Sequence, residues 1–460
     1  MPEKGDTVSR RLNNDVSSPT MLDASEREQF LTVAKLVADR PSQFLYELAP
    51  FKQALTARRS LADAFAVFRE LFNFPENSTI EYLPVKSLYE VARRHASVFV
   101  ETGPSGIAFT AHPPRVIGAG DQRAFECVTR SLYFACLPEC TVRGRSGFIE
   151  FRGSALLDFQ GHELERVDEQ VVLDLPVLEG SKDGVWMCSS PGCKIDLDEA
   201  FSLLGPHSPQ FGHWIWEYMP KYVAAAMSAQ MSRVPVLIDA HMPPTHREFL
   251  RMILPPEIEI IEVPLTATVN VRRLWCAPRL FFIPMHPKTV DPAWIPFRTA
   301  PPDRFASVIA EMLRRMSPSL PPASGPKRIF LARKDYQARK LVNYPAIEER
   351  AKQEGFVVVY PQDLDFATQI GLIRGAQYIL GQGGSAMLLG FFARSGAKLC
   401  ILSSVNVFRS TSYTCLLEKL GIDTTILTGP ATREDSPYSH TADYAIPEEI
   451  FSAFLKDWRT

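Results

Sequence analysis

A strand, a glycine-rich turn and a helix follow one another in Tyr378-Ile-Leu-Gly-Gln-Gly-Gly-Ser385-Ala-Met-Leu-Leu-Gly-Phe-Phe392. This order is typical of an anion-binding corner, because glycines let the backbone approach a phosphate and a helix N-terminus carries positive partial charge. The turn matches neither the GxGxxG fingerprint nor a phosphate-binding loop that ends in Gly-Lys-Ser/Thr. Ordinary packing of a turn in an α/β protein is the alternative interpretation.

Short apolar strands lie on both sides of this turn and are spaced by about one helix each. They are Arg328–Ala332, Phe356–Tyr360, Gln377–Leu380, Lys398–Leu402 and Thr424–Leu427. Asn343 and Asp365 are predicted N-caps of the intervening helices, while Gly355 and Gly396 are predicted to end helices. The alternation predicts a doubly wound, Rossmann-like domain over residues 327–460.

Basic residues follow the first of these strands. Arg333 and Lys334 are predicted at the same edge of the sheet as Gly383–Ser385, and Arg339 follows shortly after. Two anion-binding features at one edge predict a site for a diphosphate, since Arg and Lys bind phosphate through charge and hydrogen bonds. A solvated charged turn is the alternative.

The N-terminal half has a similar but less regular pattern. Strand-like runs such as Val236–Asp239 and Ile258–Val263 alternate with helical patterns, which predicts a second Rossmann-like domain over residues 136–285. Residues 286–326 are predicted to be a linker that contains a helix capped by Asp303. Residues 1–24 are predicted to be a disordered tail, and residues 25–135 a helical and mixed extension.

Three candidate chemical groups lie in this half. His213 and Glu217 are four residues apart, so a helix would place a general base and its orienting partner on one face. A half-buried structural pair is the alternative. Asp239 ends its strand, where open α/β sheets place functional groups. Asp196-Leu-Asp198 has the form of a metal-binding DxD triplet, but the N-cap of a helix over residues 199–204 is the preferred interpretation.

Composition excludes several classes of protein. The 460 residues are 46% hydrophobic and 22% charged, which predicts sizeable cores in two or three domains. A net charge of −2 argues against a general nucleic-acid binder. The eight cysteines form no CxxC pair, and no apolar run approaches the length of a membrane span. We expect a cytoplasmic protein; peripheral attachment to the inner face of the membrane and homo-oligomerisation remain open.

Many small motifs follow one another along the chain: Arg328-Ile-Phe-Leu-Ala-Arg333, Arg339, Asn343, Gly355-Phe356, Gln369, Ala376, Gly381-Gln-Gly-Gly-Ser385 and Phe392, together with His213-Trp214, Glu217 and Pro220. In their order and spacing they resemble glycosyltransferase family 61, which includes bacterial capsular-polysaccharide enzymes. The match covers roughly residues 140–430.

The resemblance implies a GT-B architecture, in which two Rossmann-like domains face each other across a cleft. It also implies an inverting hexosyl- or pentosyltransferase of polysaccharide biosynthesis that needs no metal or other cofactor. A nucleotide sugar, foremost a UDP-sugar, would be the donor, and a glycan or lipid-linked glycan the acceptor. Donor-binding residues would be Arg333, Lys334, Arg339, Asn343, Gln369, Gln382, Gly383, Gly384 and Ser385. The candidate bases are Glu217 and His213, followed by Asp239.

The chain departs from the family at Gly383, Leu389 and Ile401. Because of these departures, the resemblance does not determine the identity of the donor. A non-catalytic scaffold on the same fold is an alternative. A metal-dependent GT-A transferase that uses a DxD triplet is a further alternative.

Overall fold

The structure, a computed structural model, describes most of residues 51–458. Gaps lie at 58, 104, 113, 119–123, 161–173, 191–192, 229–230, 232, 283–297, 300, 324, 335–338, 406–413 and 433–441, and positions 25, 28, 31–33, 35 and 48 are described before them. The predicted tail and much of the predicted linker lie outside the described residues.

The C-terminal sheet consists, within the described residues, of six parallel strands. In spatial order they are Val357–Val359, Arg328–Leu331, Tyr378–Gln382, Lys398–Ser404, Asp423–Gly429 and Arg115–Ile117. The five strands predicted for this domain are confirmed, with ends shifted by one or two residues. They form because each apolar run buries its side chains; Ile329, Phe330 and Leu331, for example, are buried.

The spatial order of these strands reverses at one point in the sheet, between Arg328–Leu331 and Tyr378–Gln382. When the strands are numbered along the chain from Arg328–Leu331, the first five in space are numbers 2, 1, 3, 4 and 5. This order is a common doubly wound arrangement. The sixth strand, Arg115–Ile117, comes from the region predicted as an N-terminal extension. Thr428 Oγ1 donates to the carbonyl oxygen of Ile117 at 3.1 Å, so segments about 300 residues apart in the chain belong to one sheet.

Helical segments connect the strands of this sheet or, in the case of the last helix, follow its final strand in the chain. They are Tyr344–Gln353, Pro361–Asp363, Phe366–Gly375, Ser385–Phe392, Thr414–Lys419 and Glu448–Asp457, of which Pro361–Asp363 and Ser385–Phe392 are 3₁₀-helices. The predicted cap Asp365 is confirmed: its Oδ1 accepts from Thr368 N at 2.7 Å. Asn343 is the N-cap residue of Tyr344–Gln353, as predicted, but its side chain makes no capping bond within the helix and instead bonds the backbone of Ile446. Gly396 was predicted to end the helix that begins at Ser385, but this helix ends at Phe392 and Gly396 lies in the turn that follows.

The N-terminal sheet is larger and mixed. Its eleven described strands are Ile260–Val263, Val236–Asp239, Lys194–Ser202, Thr268–Cys276, Leu132–Arg143, Ile149–Phe151, Ser154–Leu157, Thr79–Ser87, Gly184–Ser189 and Val177–Gly180 in spatial order, with Val98–Gly103 paired to Leu132–Arg143. The first four are parallel to one another, as predicted, and helical segments Phe211–Ala226 and Pro244–Ile253 lie between them in the chain. Beyond Thr268–Cys276 the pairing is mainly antiparallel.

Smaller elements complete the described fold. A four-stranded sheet contains Phe281–Phe282, Arg298–Thr299, Phe125–Thr129 and Ala108–Ala111. The remaining helices are Leu61–Leu71, Leu88–His95, Pro302–Met316 and the 3₁₀-helix Ser317–Ser319, and residues 51–57 are helical as well. Asp303 was predicted to cap the third of these, but it lies inside the first turn, and Pro301 holds the cap position. The division of the chain into domains stays a prediction.

The Asp196-Leu-Asp198 triplet lies within the strand Lys194–Ser202, so the predicted helix over residues 199–204 is wrong. Exposed and partly buried residues alternate from Lys194 to Glu199, which is the two-residue period of a strand. Asn270 Nδ2 donates to Asp196 at 2.8 Å, and Arg272 pairs with Asp198 at 3.1 Å. Cross-strand pairing, rather than capping, explains both carboxylates.

One apolar core joins the two large sheets. It includes Trp214 and Phe249 from the N-terminal half and Phe366 and Phe392 from the C-terminal half. The rings of Phe249 and Phe366 stack with their centroids 4.3 Å apart. The described elements therefore form an α/β fold in which both sheets pack onto shared side chains. Among the described residues, no helix has the length and apolarity needed to cross a membrane.

We predict that Gly355→Ala destabilises the protein by about 1 kcal/mol. Gly355 follows the helix Tyr344–Gln353 with φ of +81°, and a Cβ there would meet no atom within 4 Å, so backbone strain is the only expected cost. Urea unfolding of both proteins measures the difference. Equal stability would contradict the left-handed conformation at this position.

Candidate active site

Arg333 and the glycine corner, which we define as Gly383–Ser385, lie at one edge of the C-terminal sheet. Arg333 follows the strand Arg328–Leu331, and the corner follows the adjacent strand Tyr378–Gln382. The Arg333 guanidinium donates from Nη1 to the carbonyl oxygen of Gly383 at 3.2 Å. A Cβ on Gly384 would lie 3.4 Å from the guanidinium carbon, so the missing side chain leaves room for this close approach. The sequence predicted this shared edge.

These two strands are the first and third of the sheet, and the strand order reverses between them. Open α/β sheets bind ligands in the crevice outside the carboxyl ends of their strands at such a point. The 3₁₀-helix Ser385–Phe392 starts there. Met387 N donates to the carbonyl oxygen of the cap residue Gly384 at 3.0 Å, so the N–H groups without a partner inside the helix are those of Ser385 and Ala386. The N–H of Gly383 is not part of this set, because it donates to Leu402 O at 2.7 Å and extends the strand pairing.

The other predicted donor-binding residues have different surroundings. Lys334 is half exposed, pairs with Asp363 and lies over the Tyr360 ring. Arg339 has a φ of +60° and is partly buried. Asn343 is bonded to Ile446, as described above.

Two predicted glutamines are buried. Gln382 ends its strand before the corner, and Gln369 holds two backbone carbonyl oxygens of the loop 361–364. The bonds of Gln369 support the fold around the predicted donor site.

His213 and Glu217 form a close pair on the helical segment Phe211–Ala226, which we call the site helix. His213 Nδ1 and Glu217 Oε1 are 2.5 Å apart. The middle of the site helix, Trp214–Tyr218, is a π-helix, a geometry that often marks functional positions. The His213 side chain is 17% exposed, whereas that of Glu217 is 3% exposed, so only the imidazole is open to a ligand.

Arg279 is a third member of this cluster that the sequence analysis missed. Its Nη1 donates to Glu217 Oε2 at 3.2 Å, and its backbone N donates to Asp158 Oδ2 at 2.6 Å. Asp158 also pairs with the buried Arg130 at 3.3 Å. These residues follow or precede three separate strands of the N-terminal sheet. The one available signal was the position of Arg279, three residues after an apolar strand.

Charges around Glu217 keep it ionised although it is buried. Burial alone would raise the pKa of Glu217, but the charge and hydrogen bond of His213 and the charge of Arg279 lower this pKa to about 2. His207 stacks on His213 with ring centroids 4.6 Å apart. Burial holds the pKa of His207 well below its usual range, so that ring stays neutral. The cluster thus contains one fixed carboxylate behind a partly exposed imidazole.

The site helix meets the glycine corner directly. A Cβ on Gly212 would lie 2.9 Å from Ser385 Oγ and 3.2 Å from Leu388 Cδ1. Gly212 precedes His213 in the chain, and Ser385 is the first residue of the 3₁₀-helix beside Arg333. The structure therefore brings the imidazole–carboxylate pair and the glycine corner into one neighbourhood.

Asp239 belongs to a different contact. Arg145 donates from Nε to its Oδ2 at 2.6 Å, and His241 N donates to its Oδ1 at 2.7 Å. Burial alone would raise the pKa of Asp239, but bonds to His241 and Arg145 lower it to about 2. Among the described residues no hydrogen bond or ion pair joins Asp239 to His213 or Glu217, so the three predicted bases do not form one cluster.

The part of the chain that the structure describes has no group of three or more His, Cys, Asp or Glu side chains arranged to hold a metal ion. Both carboxylates of the DxD triplet have cross-strand partners instead, as described above.

Residues 211–400 match the family model of Glycosyltransferase 61. The match begins at the site helix, ends within the strand Lys398–Ser404, and contains the glycine corner and Arg333. It covers less than half of the chain. It supports the resemblance to family 61 and an assignment as a glycosyltransferase. No curated protein sequence matches the chain significantly.

We predict that the buried carboxylate of Glu217 makes stability depend on pH. Its pKa in the folded protein, about 2, lies below the ordinary 4.5. Its contribution, of about 3 kcal/mol, is therefore complete above pH 4.5 and is lost as the pH falls towards 2. Denaturant unfolding between pH 6 and 3 measures this loss.

Glu217→Gln cannot titrate, so its stability should fall less steeply over the same pH range. Glu257→Gln, a change at an exposed position, should follow the wild type. Identical pH profiles for wild type and Glu217→Gln would contradict an ionised Glu217.

Proposed function

We propose that this protein is an inverting glycosyltransferase that moves a sugar from a nucleotide-diphosphate donor to a hydroxyl of a glycan or glycolipid. The contact between the site helix and the glycine corner carries the proposal, since it pairs a candidate base with a candidate diphosphate site. The reaction needs both: one group to accept the acceptor proton and one to stabilise the departing diphosphate.

His213 is the base in this mechanism, and Glu217 orients it. The ionised carboxylate of Glu217 accepts a hydrogen bond from Nδ1–H of His213, which leaves Nε2 to take a proton. As Nε2 removes the hydroxyl proton, the acceptor oxygen attacks the anomeric carbon and the bond to the diphosphate oxygen breaks. The exposure of His213 and the burial of Glu217 support this division of roles.

Arg333 and the N-terminus of the 3₁₀-helix would stabilise the leaving diphosphate. The guanidinium beside Gly384 supplies a full charge and several N–H donors, and the backbone of Ser385 adds a helix-terminal donor. These groups supply the positive charge without a metal ion or another cofactor. A UDP-sugar with a hexosyl or pentosyl group and a lipid-linked or capsular glycan are the substrate classes we propose.

The first test is thermal unfolding with UDP, GDP, CDP and CMP, each with and without EDTA. A ligand at a hundredfold excess over its Kd stabilises the folded state by about 2.7 kcal/mol. We expect one nucleoside diphosphate to raise the Tm whether or not EDTA is present. A shift abolished by EDTA would favour a metal-dependent transferase, and no shift with any nucleotide would favour a non-catalytic scaffold.

We predict that Arg333→Ala weakens binding of that nucleotide about 10- to 150-fold, the cost of losing a hydrogen bond to a charged group. Isothermal titration measures the Kd. Arg328→Ala is the matched control, because Arg328 begins the strand that Arg333 follows and therefore lies at the opposite edge of the sheet. Equal nucleotide affinities of the wild type and Arg333→Ala would show that Arg333 does not bind the nucleotide.

We predict that His213→Ala lowers the rate of sugar transfer about 10²- to 10⁴-fold while the nucleotide Kd changes little, as for a lost general base. Glu217→Gln should lower the rate less, since the amide can still accept a hydrogen bond from His213. Single-turnover transfer from the matching nucleotide sugar is the measurement. Full activity of His213→Ala would refute its role as the base.

A further inference from the structure

A carboxylate from the N-terminal half caps a helix of the C-terminal half. Glu248 lies on the helix Pro244–Ile253, which we call the bridging helix and which follows the strand Val236–Asp239. Its Oε2 accepts from Phe366 N at 2.7 Å, and its Oε1 accepts from Ala367 N at 3.0 Å. Both N–H groups belong to the first turn of the helix Phe366–Gly375, which we call the capped helix.

The capped helix does not need Glu248 for an ordinary N-cap. Asp365 already fills that role through its bond from Thr368 N. The second carboxylate satisfies two further N–H groups and lies at the positive end of the helix dipole. It also comes from a distant part of the chain, beside the stacked rings of Phe249 and Phe366. The contact therefore fixes the position of the capped helix against the bridging helix.

The capped helix in turn holds the loop beside Arg333. Gln369, one turn along, donates from Nε2 to Pro361 O at 2.9 Å and to Leu364 O at 3.0 Å. Within that loop, Gln362 Nε2 donates to the backbone oxygen of Lys334 at 3.2 Å, and Asp363 binds the Lys334 side chain. Lys334 directly follows Arg333. A continuous chain of hydrogen bonds thus runs from Glu248 to the residue next to Arg333.

We propose that Glu248 is a positioning residue of the donor site, through which the N-terminal half controls where Arg333 lies. The identity of the ligand rests on the proposed function, whereas the chain of contacts does not. Removing Glu248 frees the capped helix, loosens the loop 361–364 and spreads Arg333 over more positions. Donor affinity falls as a result, while the chemistry at His213 proceeds normally once donor is bound.

Hydrogen–deuterium exchange of the unliganded protein tests the contacts. Glu248→Ala should speed exchange at residues 361–369 and 332–334, and Glu248→Gln, which keeps one acceptor oxygen, should have an intermediate effect. Glu257→Gln is the control, because Glu257 is exposed and lies just beyond the bridging helix. Unchanged exchange at residues 332–334 in Glu248→Ala would overturn the proposal, whatever the protein binds.

Donor kinetics test the consequence. We expect the nucleotide Kd and the donor KM to rise about two- to thirtyfold in Glu248→Ala, the range of couplings carried through packed networks, with kcat unchanged. A purely structural role would lower the Tm without this split between KM and kcat. Faster exchange with unchanged Kd and KM would overturn the proposal and leave the proposed function intact. A wild type that binds no nucleotide would instead refute the proposed function.

Discussion

Contact between Gly212 and Ser385 is the constraint on which the rest of the candidate site depends. The space between them admits a hydrogen atom but would crowd a methyl group, so the site helix lies directly on the start of the 3₁₀-helix. Two sheets with separate strand orders then share one core, through Trp214 and Phe249 on one side and Phe366 on the other. Because the interior is closely packed, a shift of either sheet moves the imidazole and the guanidinium relative to each other.

Electrostatic balance determines which group of the cluster is free to react. A buried carboxylate is unfavourable unless it is paired and hydrogen-bonded, and Glu217 has the guanidinium of Arg279 and the imidazole of His213 as partners. Asp158 offsets the charge of Arg279 in turn. Glu217, Arg279 and Asp158 are thus paired with one another, and the partly exposed imidazole of His213 is the group that faces solvent. Asp239 shows the contrasting case, since Arg145 and His241 occupy its oxygens.

Local patterns predicted the C-terminal sheet and the joint position of Arg333 and Gly383–Ser385, because strands, caps and glycine turns are encoded within a few residues. The His213–Glu217 pair was predictable for the same reason. Long-range pairing was not: Asp196 and Asp198 lie in a strand because residues 268–276, some seventy positions later, bind beside it. Arg279 and Asp158 were missed because the cluster around Glu217 is built from four segments that are far apart in the chain. Such long-range contacts leave no characteristic spacing in the sequence.

The sixth strand of the C-terminal sheet has a consequence for synthesis of the chain. Arg115–Ile117 leaves the ribosome long before Asp423–Gly429, the strand beside which it pairs. Until then its backbone donors and acceptors have no native partner in that sheet, and afterwards it covers an edge that would otherwise be open. The native pairing of this strand must therefore wait until residues 423–429 have been made, and it closes a loop of about 300 residues; such non-local pairing is slow. A fragment that starts after the N-terminal region would expose the edge formed by Asp423–Gly429.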